Sequence, residues 1–425
     1  MAAAKKGHWK ARIFAMILIT AALGVSLLFE AEINRALGFV REEQTPTVTE
    51  SIDLDVHFVD VGQGDACILE LPDDRVMLID AGERDSEDKL IHYIDENIRR
   101  DGGKLDGFDI VMLTHSDSDH CGEMADVLGQ YPAEVFYRPN VAATCDGYTD
   151  PGIAAGDLYG SYESKDTMRY RDAIEAGYAT AGTTYATDAT DDEQNVIRPE
   201  GISEGEPGYY TLTLYTPTVD SYSDSNNYSP IMILEYEGKR FALSGDAEKE
   251  AEAEFVALAE AGEGKFSVFD DSFYVDVIKL GHHGSDTSTS DEYLGVITTP
   301  SACPSIFAIA SCGSKSEYGH PSDKTIETLK KAGFVEEHIL TTFTDGSIVA
   351  TVSLDGNGMY ALTVGGVVAP APETFQWRWL YVAGILFAAA FVLIIILPSL
   401  TKSRRKKVVR EAADSIRDNK GRKRK

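Results

Sequence analysis

Thr114-His115-Ser116-Asp117-Ser118-Asp119-His120 sets two imidazoles and two carboxylates within six residues. The apolar run before it, 108–113, reads as a buried strand, and residues 121–128 have helical spacing. The polar groups therefore fall on a turn between a strand's carboxyl end and a helix start, where α/β sheets place ligand sites. On such a turn, positions i, i+2, i+4 and i+5 do not share one face. The pattern suits two adjacent metal ions, with His115 and Asp117 turned to the first and Asp119 and His120 to the second. The competing reading is a polar turn in which Asp119 caps the helix.

Further blocks place chemistry at turns. They are Val59-Asp60-Val61-Gly62-Gln63-Gly64-Asp65 with Leu78-Ile79-Asp80-Ala81-Gly82, then Leu243-Ser244-Gly245-Asp246-Ala247-Glu248, then Lys279-Leu280-Gly281-His282-His283-Gly284-Ser285. A weaker one is Tyr318-Gly319-His320-Pro321. With the first stretch, these blocks resemble in order the H-x-D-x-D-H form of the metallo-β-lactamase signature found in ComEC-type competence proteins. The resemblance spans residues 52–366. It implies an α/β (α+β) fold, a four-layer αββα sandwich with two divalent metal ions at one edge of its two sheets.

The same resemblance implies site roles. Asp246 bridges the two metals, since a shared carboxylate lowers the cost of holding two dications together; its alternative is to cap the following helix. Neighbours on an extended turn point to opposite sides, so one of His282 and His283 can complete the second metal while the other faces the substrate, with His282 the preferred ligand. Asp119 ligates and accepts a hydrogen bond from a metal-activated hydroxide. His320 is a candidate donor to the leaving or non-bridging oxygen, or else a surface turn histidine. Asp65 and Asp80 either support the ligands from behind or form turns. Two departures stand out. Asp117 replaces the second histidine of the broader signature, which makes the first site more oxygen-rich; zinc is the default ion and manganese becomes plausible. No histidine lies between His120 and His282, so the first site lacks its usual third imidazole, and Asn226 or Asn227 resembles the Asn/Ser element found there.

Two apolar runs frame this segment. Residues 13–29 and 380–398 are each long enough for a membrane helix, and Trp377 and Trp379 sit at the interfacial position of the second. Lys5, Lys6, Lys10 and Arg12 precede the first run; Lys402, Arg404, Arg405, Lys406 and Lys407 follow the second. Positive outer flanks put residues 1–12 and the basic tail 399–425 in the cytoplasm and the middle outside the cell. A cleaved signal peptide is the rival for the first run, but residues 30–35 offer no small-x-small site. Residues 30–51 and 367–379 read as linkers. Residues 31–375 carry 65 acidic against 22 basic side chains, a net −43. So acidic an ectodomain attracts divalent cations and repels polyanions at long range, which counts against processive degradation of DNA. The five cysteines, at 67, 121, 145, 303 and 312, are an odd number; Cys67 and Cys121 read as small buried residues, and pairing of the others stays open.

Within the middle, strands are expected at 54–59, 66–71, 75–79, 134–137, 211–215, 231–236, 240–243, 275–280, 305–310, 342–352 and 359–363. Helices are expected at 88–100, 248–261 and 322–332. Residues 140–208 form an acidic stretch, with a helix near 166–176, that reads as an insertion overhanging the site; a solvated surface insertion is the commoner form of such a segment. The function expected is metal-dependent hydrolysis of a phosphodiester, through a hydroxide activated between two ions. β-Lactamase- or lactonase-like hydrolysis, and a non-catalytic metal-containing binding ectodomain, are the alternatives. With only two apolar runs, the resemblance does not bring DNA uptake with it. No protein partner is indicated.

Overall fold

The computed structural model describes residues 52–369 apart from 85–87, 101–102, 161, 188–193, 220, 315–318 and 356–357. Of the unit formed by Met1–Thr45 and Thr374–Lys425, only Lys407, Arg410 and Glu411 are described, in helical conformation. Both expected membrane spans and the linker 30–51 lie outside the described residues. Among the described residues no helix is long and apolar enough to cross a membrane.

The first half opens with β1 (Leu54–Phe58), β2 (Cys67–Glu70) and β3 (Val76–Ile79), an antiparallel meander. Helix α1 (Lys89–Asn97) crosses to β4 (Phe108–Met112), which lies parallel to β3. The turn after β4 holds α2 (Ser118–Cys121) and leads to α3 (Met124–Gln130) and the parallel β5 (Ala133–Arg138). Next come β6 (Val141–Cys145), β7 (Glu163–Lys165), α4 (Met168–Thr180) and β8 (Thr183–Ala186).

The second half runs β9 (Val196–Ile197), β10 (Tyr210–Leu214), β11 (Met232–Tyr236) and β12 (Lys239–Leu243), all antiparallel. Helices α5 (Lys249–Ala261), α6 (Asp291–Ile297) and α7 (Asp323–Ala332) then connect the parallel strands β13 (Val277–Lys279), β14 (Phe307–Ala310) and β15 (Ile339–Thr341). After α8 (Thr342–Asp345), strands β16 (Ile348–Leu354), β17 (Tyr360–Val364) and β18 (Val367–Val368) return to the first sheet. The nine-stranded sheet has the order β8-β5-β4-β3-β2-β1-β16-β17-β18, and the seven-stranded sheet runs β9 to β15 in sequence.

Alternating side chains explain the layers. In β3, Met77 and Ile79 enter the core between the sheets, while Val76 and Leu78 face the helices. The inter-sheet core joins Phe58, Leu69 and Met112 of the first sheet to Leu212, Leu234 and Phe241 of the second. Outside the first sheet, Leu90, Ile94, Val127 and Ile174 cover Ile68 and Val111. Outside the second, Phe255, Leu294 and Leu329 cover Ala242 and Ile278. Strands covered on both faces read as continuous apolar runs, which is why β3, β4 and β14 are nearly unbroken hydrophobic sequence. The result is the αββα order of a metallo-β-lactamase sandwich.

The structure departs from expectation in three places. Residues 342–352 are not one strand, because Thr341 Oγ1 accepts the Thr344 amide at 3.1 Å and closes a short helical turn before Ile348. The segment 140–208 is not simply a solvated insertion. Its helix α4 buries Tyr170, Ala173 and Ile174 in the outer core, and β8 pairs in parallel with β5 as an edge strand. Arg138, fully buried, anchors its base through two 2.7 Å bonds to Asp150. Finally, Val367–Val368 pairs with β17 at the start of the stretch read as linker. All five cysteines are free, so no pairing left open by the sequence forms.

Candidate metal centre

Every polar group of the site stands at one edge of the sandwich, where parallel strands end. Asp80 follows β3, His115 to His120 follow β4, Asp246 follows β12, and His282 and His283 follow β13. Asp65 stands two residues before β2, which runs antiparallel to β3 and so begins at the same edge. The turn before it approaches α2 closely. A Cβ on Gly64, at φ +124°, would sit 2.2 Å from the Asp119 carbonyl oxygen, which accepts the Asp65 amide at 3.1 Å. Only glycine fits there.

Asp65, His120, Asp246 and His283 are all buried, and one ligand atom from each lies within 4.8 Å of the others. Asp246 Oδ2 is 3.1 Å from His120 Nε2 and 3.2 Å from His283 Nε2. Asp119, partly exposed, reaches His283 Nε2 at 3.1 Å. The far side of each ring is tied down. His120 Nδ1 donates to Asp80 at 2.7 Å, and Asp80 also accepts the Thr114 amide at 2.8 Å and hydroxyl at 2.7 Å. His283 Nδ1 lies 2.8 Å from the Ser311 carbonyl oxygen and 3.3 Å from Asp65 Oδ1. A carbonyl cannot donate, so this contact puts a proton on Nδ1 and turns Nε2 into the cluster. Such backing carboxylates are how proteins orient metal-ligating imidazoles.

The electrostatics match. Burial alone favours the neutral forms of these groups, yet Asp246 and Asp80 hold the His120 pKa well above its ordinary value, as Asp246 and Asp65 do for His283. Against the same burial, the two imidazoles hold Asp246 and Asp119 well below the usual carboxylate range. Asp246 Oδ1 and His115 Nε2 are buried without a hydrogen bond. A converging set of oxygen and nitrogen donors with unmatched lone pairs fits a borderline dication such as zinc. Binding such an ion competes with protons for the imidazole nitrogens.

A second group lies alongside. The His115 ring centroid is 4.1 Å from that of His120, and its Nδ1 lies 3.1 Å from Thr114 Oγ1 and 3.2 Å from Ser229 Oγ. Burial and the neighbouring His120 charge push the His115 pKa down. Asp117 Oδ1 accepts Lys165 Nζ at 2.7 Å and Ser225 Oγ at 3.1 Å. Of the two asparagines, Asn226 keeps a buried Oδ1 without a hydrogen bond. Asn227 Oδ1 instead accepts the Glu248 and Ala251 amides, both at 3.1 Å, and so caps α5. That leaves the Asp246 carboxylate out of the capping role and in the cluster.

The histidine pair does not stand on the extended turn that the sequence suggested. Both residues adopt left-handed backbone, φ +48° at His282 and +56° at His283, rather than an extended turn. Consequently His283 faces the carboxylates, whereas His282 turns its Nδ1 to Glu248 at 3.0 Å and Thr287 at 2.9 Å, with Nε2 4.0 Å from Asp246. Left-handed backbone costs a non-glycine residue on the order of 1–3 kcal/mol and persists where the surroundings enforce it. The His320 ring stacks on His283 at 6.1 Å between centroids and lies 5.7 Å from His282. Burial, then the His283 and His282 charges, lower its pKa.

Sequence reasoning missed several contributors. Lys279 is buried, with its ammonium on Asp65 and on the Gly245 carbonyl oxygen, the latter at 2.9 Å. A lysine inside the apolar strand Val275–Leu280 was the available signal. Ser229, bonding both His115 and the Asp246 amide at 3.2 Å, carried none.

A family model described as the metallo-beta-lactamase superfamily matches residues 59–301. The chain belongs to that superfamily. Among curated relatives it is 26% identical over 311 residues to ComE operon protein 3 of Bacillus subtilis (strain 168), covering 69% of this chain and 32% of that protein. It is 25% identical over 195 residues to competence protein ComA of Neisseria gonorrhoeae, covering 42% of this chain and 24% of that one. These matches support the ComEC-type branch of the superfamily, and the chain spans a third or less of those relatives' length. Solved structures that resemble it include Zn(2+)-bound PqqB from Methylobacterium extorquens, at 12% identity and TM-score 0.31 over 64% of this chain and 84% of that one. The diiron β-hydroxylase CmlA from Streptomyces venezuelae aligns at 10% identity and TM-score 0.35 over 68% and 52%. Neither likeness bears on function.

Proposed function

We propose that this superfamily member is a metal-dependent hydrolase of phosphodiesters, anchored by residues 13–29 and 380–398 with its sandwich outside the cell. The observation that carries the reading is the buried group of Asp65, His120, Asp246 and His283, within 4.8 Å, with a carboxylate or carbonyl behind each imidazole. A divalent ion held there supplies an activated water and positive charge for the developing oxyanion. Asp246, His120, His283 and Asp119 hold that ion, while Asp80 and Asp65 fix the rings. Asp119, partly exposed and already accepting from His283, stands where it can also accept a hydrogen bond from the attacking water and orient it. His320, beside His283 at the rim, is placed to donate to a substrate oxygen. The ligand set, without thiolate and rich in carboxylate, favours the phosphodiester over a β-lactam or lactone.

The test is a substrate panel on the full chain in detergent, covering an activated phosphodiester, single-stranded DNA, a choline-phosphate ester, a lactone and a β-lactam. Chelator-sensitive cleavage of the diester, lost in Asp246→Ala, is expected. Bound metal with no turnover of any member would leave a binding ectodomain instead.

A further inference from the structure

We infer that Lys165 serves as the cation at the first ion position, so that the chain takes one divalent ion tightly where its relatives' signature provides for two. The inference rests on the hydrolase reading and specifies how that site is built. The first position has one carboxylate of its own, Asp117, and it is already engaged: Lys165 Nζ and Ser225 Oγ both bond Oδ1, at 2.7 and 3.1 Å. An ammonium offers donors only. A dication on the same carboxylate would have to displace it or sit beside it against like charge. The position also has little else to offer, with His115 as its lone imidazole and Asn226 a neutral oxygen, and with no histidine between His120 and His282 to complete it.

The lysine is held in place by the segment between β5 and β8. Its strand pairs in parallel with β6, Lys165 opposite Ala143. The base of that segment is fixed by the buried Arg138–Asp150 pair, and α4, three residues on, is packed in the core through Tyr170 and Ile174. Lys165 and Asp117 are each about one-third exposed, at 32% and 35% of the side chain, so the ammonium meets whatever enters the site. There it presents hydrogen-bond donors and positive charge to an anionic substrate oxygen, a task the second ion performs in two-ion sites.

The test is metal stoichiometry on the full chain in detergent, stripped by chelation and titrated with zinc, then repeated with cobalt to read absorption bands. Wild type is expected to take one tight ion per chain, Lys165→Met that ion and a second, weaker one on the freed Asp117, and Lys165→Arg, which keeps the charge, one. Two tight ions in wild type, or one in Lys165→Met with the cobalt spectrum unchanged, would overturn the inference and leave the hydrolase reading standing. No tight ion in wild type would overturn both.

Discussion

At the scale of single residues, the site is a set of imidazoles whose outer nitrogens are occupied so that the inner ones are aimed. Asp80 matters through this geometry rather than through direct contact with an ion. Asp80→Asn, which retains an acceptor but loses the charge, should weaken metal affinity about 10- to 100-fold while leaving the fold intact, as measured by zinc titration alongside circular dichroism. The raised pKa values of His120 and His283 set a second expectation. The neighbouring carboxylates favour the protonated rings, so ion binding releases protons and tightens as pH rises. Calorimetric titration in buffers of different ionisation enthalpy should show that release; heats independent of buffer would contradict it. The same protonated rings stabilise the metal-free fold fully below about pH 6.5, the unfolded value, and that contribution fades as pH rises through the raised values. Much of this was legible in the sequence, since the ligand types and their turns stand in recognisable order. Which ring of His282-His283 faces inward was not, because it depends on two successive left-handed backbones that side-chain pattern does not encode.

At the scale of elements, strands with a turn at each end could be read within a residue or two, because period-two burial or a continuous apolar run marks them. Of the segment from 140 to 208 only the helix could be read, and not its packing. Strand β7 is three residues long and finds its partner only in space, and α4 shows a weak apolar stripe among exposed charges. The structure makes α4 part of the outer core. Ile174→Ala, at a fully buried position, should therefore cost about 2–5 kcal/mol of stability, read by denaturant melts of the metal-free protein. A loss under about 0.5 kcal/mol, as at a solvated surface, would restore the insertion view. The same packing ties Lys165 to the fold, and its cation to the site.

At the scale of the whole molecule, the proposed anchors and the acidic middle segment govern which substrates arrive. Protease added to intact cells should degrade residues 31–375 and spare both termini; a protected middle would invert the topology. A net −43 over that segment repels polyanions, and salt screens the repulsion over roughly 8–10 Å at physiological strength. Small diesters should therefore outpace single-stranded DNA in kcat/KM at low salt, with DNA turnover rising as salt is added. DNA favoured at low salt and weakening with salt would mean that local attraction governs. The buried placement of Lys279 already removes one source of such attraction.

The claim on which the rest depends is that His283, with His120 and Asp246, holds a divalent ion used for hydrolysis. The most direct measurement is zinc content and phosphodiester turnover in the same preparations of wild type, His283→Ala and His282→Ala. Loss of both zinc and turnover in His283→Ala, with zinc retained in His282→Ala, is the predicted result. Wild-type zinc and turnover in His283→Ala would contradict it.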